Sequence, residues 1–298
     1  MNRATPSILL VLAVAGTLFA AGALAKTPKT AKTPKPPRVP PVAPVADSGT
    51  IALWHLDENG GTRAADSGPA HLDGIAGNDT RTEFGRYRSA RRFERDTDSW
   101  VIVPYAPALE GHRDFTIEAW VRVDSVALYD MQVIAARWSP VPNQQAWVFG
   151  VSGRNLAPPD VPLSPGWFRS LVGLAPAQRL VFGYQPLLAG AARGFFSTTD
   201  LPLGRWVHVA ASLDGEVVRL FVDGQLDAQF QTTGPIRPTE APLLLGSAFD
   251  PRHLTSFGGD LRMDPNAAIT VYYPLVGALD EVRLSSVART RFESAPLH

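Results

Sequence analysis

The chain has 298 residues, 45% hydrophobic and 19% charged, with 25 Gly, 27 Pro, 7 Trp and no Cys. That balance is globular, and it excludes disordered and collagenous classes, disulfide scaffolds, thiolate metal sites and cysteine nucleophiles. Its zero net charge joins unlike parts: all four Lys lie within residues 26–35, whereas from Asp47 onward 22 Arg face 28 Asp and Glu, so the body lacks the basic surface a nucleic-acid partner requires.

In chain order, residues 1–25 open with Arg3, run apolar from Ile8 and close on Ala23-Leu24-Ala25. This is the pattern of a signal peptide with a small-x-small cleavage site, and it predicts export to the periplasm or the exterior. An uncleaved membrane anchor is the alternative, since residues 8–25 can just span a thin bilayer. Residues 26–46 place a Pro at about every third position, which removes backbone donors and favours extended polyproline II. They read either as a solvated spacer or as a basic arm that associates with an anionic wall polymer or membrane face.

Residues 47–298 are expected to form one domain of short strands. In residues 114–123, DFTIEAWVRV, the side chains of Phe115, Ile117, Ala119, Val121 and Val123 alternate with those of Thr116, Glu118, Trp120 and Arg122. Residues 205–213 alternate the same way, and Asp214-Gly215 and Asp223-Gly224 then separate two further runs. Asp-Gly between alternating runs is a strong hairpin signal, so residues 205–231 are expected to be a three-strand meander. Other predicted strands are 50–56, 91–94, 100–103, 131–138, 146–152, 168–174, 179–185, 242–247 and 275–284. The one predicted helix is a single turn near 286–292. Without crossover helices the strands must be antiparallel, which means a two-sheet sandwich. Pro-rich loops at 155–166 and 249–266 are longer than plain connections and are candidate specificity loops.

Six segments in order, TIALWHLDENGGTRAADSGPAHLDG, RRFERDTDSWVIVP, DFTIEAWVRV, GRWVHVAASLDGEVVRLFVDGQL, LLLGS and VGALDEVRLSSVARTRFE, closely resemble the laminin-G-like group of concanavalin A-like jelly-roll domains. The resemblance covers residues 50–293. It implies an all-β, two-sheet antiparallel jelly roll, used in exported bacterial proteins as a carbohydrate- or protein-binding module, often with one structural calcium. Residues 127–199 are longer than that pattern, and 249–266 are inserted.

Glucanases of this fold carry Glu-x-Asp-x-x-Glu on one strand, because a retaining mechanism needs two carboxyl groups about 5 to 5.5 Å apart. The nearest approach here is Glu94-Arg-Asp96-Thr-Asp98-Ser99, with Ser where the acid should stand. No Gly-x-Ser-x-Gly elbow and no His-Glu-x-x-His motif occurs, so the chain is not expected to be an enzyme. For metal, the loop 65–74 offers Asp66, His71 and turning glycines, hard-oxygen chemistry that suits Ca2+. Asp280 matches the position from which the family closes such a site. Its parity with Val282 and Leu284 would point it inward, where it would need either calcium or amide donors from the Asp66 loop. For ligand, Glu118, Trp120, Arg122, Trp206, His208 and Ser212 lie opposite the aliphatic stripes, a mixture of rings and polar groups suited to sugars. Burial as ordinary core is the alternative for Trp120 and Trp206, and Trp138, Trp147 and Trp167 are further candidates.

The reading is therefore an exported non-catalytic module that recognises a carbohydrate or a cell-surface or extracellular protein. Its alternatives are a structural component of the cell envelope and, third, a polysaccharide-active enzyme.

Overall fold

The computed structural model describes residues 42–95, 97, 99–110, 113–127, 131–138, 143–154, 176–188, 192–232, 234–249 and 271–293. Its strands in chain order are β1 Thr50–Trp54, β2 Arg63–Ala64, β3 Gly74–Ala76, β4 Arg81–Phe84, β5 Ser89–Phe93, β6 Val101–Val103, β7 Phe115–Val123, β8 Met131–Trp138 and β9 Gln145–Ser152. They continue with β10 Arg179–Tyr184, β11 Arg193–Asp200, β12 Trp206–Leu213, β13 Val217–Val222, β14 Gln225–Gln231, β15 Leu243–Leu245, β16 Ala248–Phe249, β17 Val271–Tyr272 and β18 Gly277–Ser285.

One sheet, A, runs β14-β13-β12-β7-β18-β5-β4 with β1 also on β18; the other, B, runs β11-β10-β9-β8-β15-β6-β3-β2. Every ladder is antiparallel, as the predicted jelly-roll sandwich requires. The meander is β12-β13-β14, and at its second turn Asp223 and Gly224 both hold positive φ, 49° and 78°. This is the primed geometry whose twist matches a hairpin. The expected strand at 168–174, the loop 155–166, the loop 249–266 apart from Phe249, which ends β16, and all of residues 1–41 lie outside the described residues. Among those described, the only helix is a 3-10 turn, Pro107–Leu109, and none is long and apolar enough to cross a membrane. The helical turn expected near 286–292 is not there; residues 286–292 instead run irregularly across sheet A.

The core lies between the sheets. It takes the aliphatic stripes of β7 and β12 and an aromatic run in which Trp147, Phe115, Phe182, Tyr184, Phe195 and Phe230 make successive ring contacts 5.1 to 6.2 Å apart. Burying side chains of this size contributes about 1.5–3 kcal/mol each. On the far side of sheet B, Met131, Val133, Ala136, Trp138, Val148 and Val181 form a second apolar layer with Ala248. Trp138 and Trp147 are thus packing residues, and Trp167 lies outside the described residues.

The strand that decides the site is β18. Its first residues pair with β5 and its last with β1. Against β7 the register shifts by one residue, with Asp280 opposite Trp120 and Arg283 opposite Glu118. Glu281, at φ 53°, is the extra residue of this bulge. A one-residue slip moves side chains to the other face. Leu279, Val282 and Leu284 therefore enter the core, while Asp280 shares the outer face with Trp120. The inward orientation inferred from parity with Val282 and Leu284 is corrected by that bulge.

Candidate functional site

The ladders align side chains in rows across the outer face of sheet A. One row joins Trp206 of β12, Arg122 of β7, Ala278 of β18, Arg92 of β5 and Arg81 of β4. Trp206 and Arg122 are both partly exposed, and the Arg122 guanidinium carbon stands 5.7 Å from the Trp206 ring centre. Arg122 binds Glu83 and Asp124 at 2.7 Å each, and Arg92 binds Asp124 at 3.0 Å, Glu94 at 2.9 Å and Glu83 at 3.3 Å. Burial alone would raise the Asp124 carboxyl, but Arg122 and Arg92 hold it below its usual range. The same contacts, Asp124 first, raise Arg122 above its ordinary value. The result is a half-exposed indole beside a lattice of fixed donors and acceptors.

The next rows are sealed. His208, Trp120 and Asp280 form one, and Ala210, Glu118 and Arg283 the other; all six are buried. Glu118 is bonded to the Arg283 guanidinium and lies 3.3 Å from His208 Nε2. Burial pushes its carboxyl upward, yet His208 and Arg283 bring it below its usual value.

The cover over these rows comes from both chain ends. Phe292 packs 5.1 Å from the His208 ring and 4.9 Å from Phe221. Thr116 Oγ1 donates to Val287 O and accepts from Arg289 N, and Arg289 grips Asp47 with two bonds of 2.6 and 2.8 Å. Arg283 also donates to Val45 O, and Pro44 is buried. Trp120 is capped by the β4–β5 turn, with Arg86 4.6 Å over its ring and Tyr87 edge-on at 6.4 Å. Ser212 is buried in the row below Ala210. Of the six ligand residues read from the sequence, Arg122 and Trp206 meet solvent, while Glu118, Trp120, His208 and Ser212 are buried. Sequence reasoning missed Glu83, Arg92, Asp124 and Ala278; the signal lay in cross-strand register, which alternation within a strand does not carry.

The three expected calcium ligands are not brought together. Asp66 Oδ1 accepts N–H bonds from Leu53 and Gly68 and its Oδ2 from Leu72, each 2.7 Å long, so amides occupy both oxygens. His71 is exposed, in the left-handed region at φ 51°. Asp280 turns elsewhere, its Oδ2 accepting from Tyr87 N at 2.9 Å. No group of three His, Asp or Glu side chains placed to hold a metal ion exists among the described residues. These residues do not fit a shared calcium ion. In the glucanase-like run, Asp96 and Asp98 lie outside the described residues, and Glu94 accepts from Arg92 while Ser99 closes its backbone turn.

Comparisons with known proteins agree with this architecture. The chain superposes on the binding domain of a paraclostridial mosquitocidal protein with a TM-score of 0.54 at 12% identity, covering 83% of this chain and 50% of that one. For the receptor-binding domain of botulinum neurotoxin type G the TM-score is 0.50 at 12% identity, covering 81% and 49%. The chain therefore spans about half the length of these toxin domains. Domain 4 of an extracellular arabinanase from Geobacillus stearothermophilus, solved with arabinotriose, matches at a TM-score of 0.50 and 18% identity over 83% of this chain and 95% of that one. At such identities the likeness is one of fold. A search of curated proteins finds no match. The laminin G model described as the concanavalin A-like lectin/glucanases superfamily matches residues 95–264, more than half of the sequence, and with the two-sheet antiparallel jelly roll beside it the chain belongs to that superfamily.

Proposed function

We propose that the protein is an exported, non-catalytic module that binds carbohydrate on the open half of sheet A's outer face. The observation that carries this reading is the row from Trp206 through Arg122 to Arg92. A sugar ring offers C–H groups to an indole face and hydroxyls to fixed donors and acceptors, and here both stand side by side, held by paired charges rather than by mobile side chains. Support for the non-catalytic part comes from the carboxyl groups. Glu118 and Asp124 are both held below their usual values between cations, and the raised carboxyls of Asp280 and Glu281 are buried away from the open row, whereas glycoside hydrolysis needs a protonated carboxyl that reaches the substrate. The arabinanase domain of the same fold was solved with an arabinose oligomer, which agrees with the reading in kind. Residues 1–25 are proposed as a signal and 26–46 as a tether whose end, at Pro44 and Val45, packs on sheet A, with contact of its basic part to an anionic wall polymer as a second role.

The test is a glycan array on the full chain, followed by titration of the best ligand against Trp206→Ala. An interface Trp of this kind is worth about 2 kcal/mol or more, roughly thirtyfold in affinity. Retained affinity in a folded Trp206→Ala protein would place the ligand elsewhere, and the capture of no glycan would defeat the carbohydrate reading.

A further inference from the structure

The turn joining β4 to β5, Phe84-Gly85-Arg86-Tyr87-Arg88, stands at the edge of the same outer face. Phe84 is 92% exposed, which is exceptional for a phenyl ring in a chain that buries two apolar layers. The Arg86 guanidinium carbon stands over Trp120 and Tyr87, 4.6 and 5.6 Å from their ring centres. Among the described residues no carboxylate is paired with Arg86 or with the exposed Arg81. Arg88, its side chain 85% exposed, meets Asp57 only at 3.6 Å. The nearby acids are engaged: Glu83 by Arg92 and Arg122, Glu281 by His55 at 2.6 Å, and Asp280 by the Tyr87 N–H.

A guanidinium stacked on rings keeps its in-plane N–H fork free, and that fork matches a planar carboxylate better than any neutral hydroxyl. Gly85 makes the arrangement possible, because a Cβ there would stand 2.4 Å from Ser89 O and 2.5 Å from Asp280 Oδ2. From β12, which carries Trp206, to β4 the face spans four strand spacings, about 19 Å. A ligand that touches both Trp206 and the turn is therefore an oligosaccharide rather than a single sugar. We infer that the glycan bound on this face is acidic, a uronic-acid polysaccharide whose carboxylates dock on Arg86 and Arg88 and whose ring stacks on Phe84. This rests on the carbohydrate reading above and narrows it to one class of sugar.

Affinity electrophoresis and calorimetry on the full chain test it, with polygalacturonate as the acidic probe, linear arabinan as the neutral one and dextran sulfate as a generic polyanion. Polygalacturonate is expected to bind at least tenfold more tightly than arabinan. Arg86→Lys keeps the charge but loses the fork, and it should weaken polygalacturonate about tenfold or more, the size of a charge-assisted hydrogen bond. Phe84→Ala, at a side chain that packs on nothing, should weaken it severalfold with an unchanged melting temperature. If arabinan binds as well as polygalacturonate and neither variant matters, the acidic inference falls while the carbohydrate reading stands. If dextran sulfate competes equally, the turn is only a cationic patch and the inference is again wrong. If none of the three binds, the acidic inference falls, and the carbohydrate reading falls with it only where the glycan array also captures nothing.

Discussion

Replacing Asp280 with Asn tests the structure at its most costly point. The side chain is fully buried, and burial pushes its carboxyl up to about 8, against about 3.9 in an unfolded chain. The Tyr87 N–H opposes the rise, while neighbouring Glu281 and Asp57 add to it. Because the native value is raised, the folded protein holds a proton that the unfolded chain has released between about pH 4 and 8. Stability attributable to Asp280 is therefore fully present below pH 4 and is lost as the pH climbs to 8. About four pH units at about 1.4 kcal/mol each set a ceiling of roughly 5.6 kcal/mol, and relaxation around the ionised group reduces what is realised to about half. Asn cannot ionise, and its amide oxygen still accepts from Tyr87. The variant should match the wild type near pH 4.5 and exceed it by about 2–3 kcal/mol at pH 8.5. Urea unfolding followed by circular dichroism at half-unit pH steps measures the difference directly, and the subtraction removes groups common to both proteins. Parallel profiles would refute the argument. So would a wild type whose stability rises with pH and drops on adding chelator, because that is how a calcium-bound, ionised Asp280 would behave.

Four further outcomes follow from the outer face. Glu118→Ala should cost about 3–5 kcal/mol in denaturant unfolding, because it leaves the Arg283 guanidinium buried without its partner. Phe292→Ala should cost about 2–3 kcal/mol and raise amide exchange in residues 286–293 before it affects β7, since that ring fixes the C-terminal segment to His208 and Phe221. Removing residues 26–41 should leave the melting temperature within error, whereas starting the chain at Ser48 should lower it by several degrees, because the second deletion takes Pro44 and the Asp47 partner of Arg289. Gly85→Ala should cost about 1–3 kcal/mol and disturb the Arg86 stack, which a loss of near-ultraviolet dichroism from Trp120 would register.

The strands that could be read from the sequence were those whose own residues alternate. β7, β8 and the meander fall where alternation and Asp-Gly punctuation put them. β2, β3 and β11 were missed because two or three residues carry no period, or because, as in Arg193–Asp200, small and polar side chains blur it. For the site, alternation correctly put Glu118, Trp120, Arg122, Trp206 and His208 on one face. It could not say which part of that face the chain ends would cover. That depends on Thr116, Arg289 and Phe292, whose partners lie as far as 242 residues away. Parity failed at Asp280 because a bulge has no signature in the alternation it interrupts.

That bulge also divides the face. The residue inserted at Glu281 puts Asp280 beside Trp120, where its Oδ2 receives the Tyr87 N–H and fastens the β4–β5 turn over the Trp120 ring. With the turn held there, Arg86 is stacked and Phe84 is thrust into solvent. Beyond the bulge the register brings Arg283 opposite Glu118, and the resulting buried pair needs the cover that residues 42–47 and 286–293 supply. Before it, Ala278 sits between Arg122 and Arg92. A side chain this small leaves the two arginines room to share Glu83 and Asp124 and keeps the row beside Trp206 open. Deleting the inserted residue would leave Asp280 opposite Trp120 and Arg283 opposite Glu118 in a regular ladder, with Val282 still facing the core, so Asp280 would keep its hold on the turn. A variant lacking Glu281 should therefore lose the His55 ion pair yet keep Arg86 over Trp120 and its acidic-glycan affinity, and a folded variant that no longer binds would refute this account of the register.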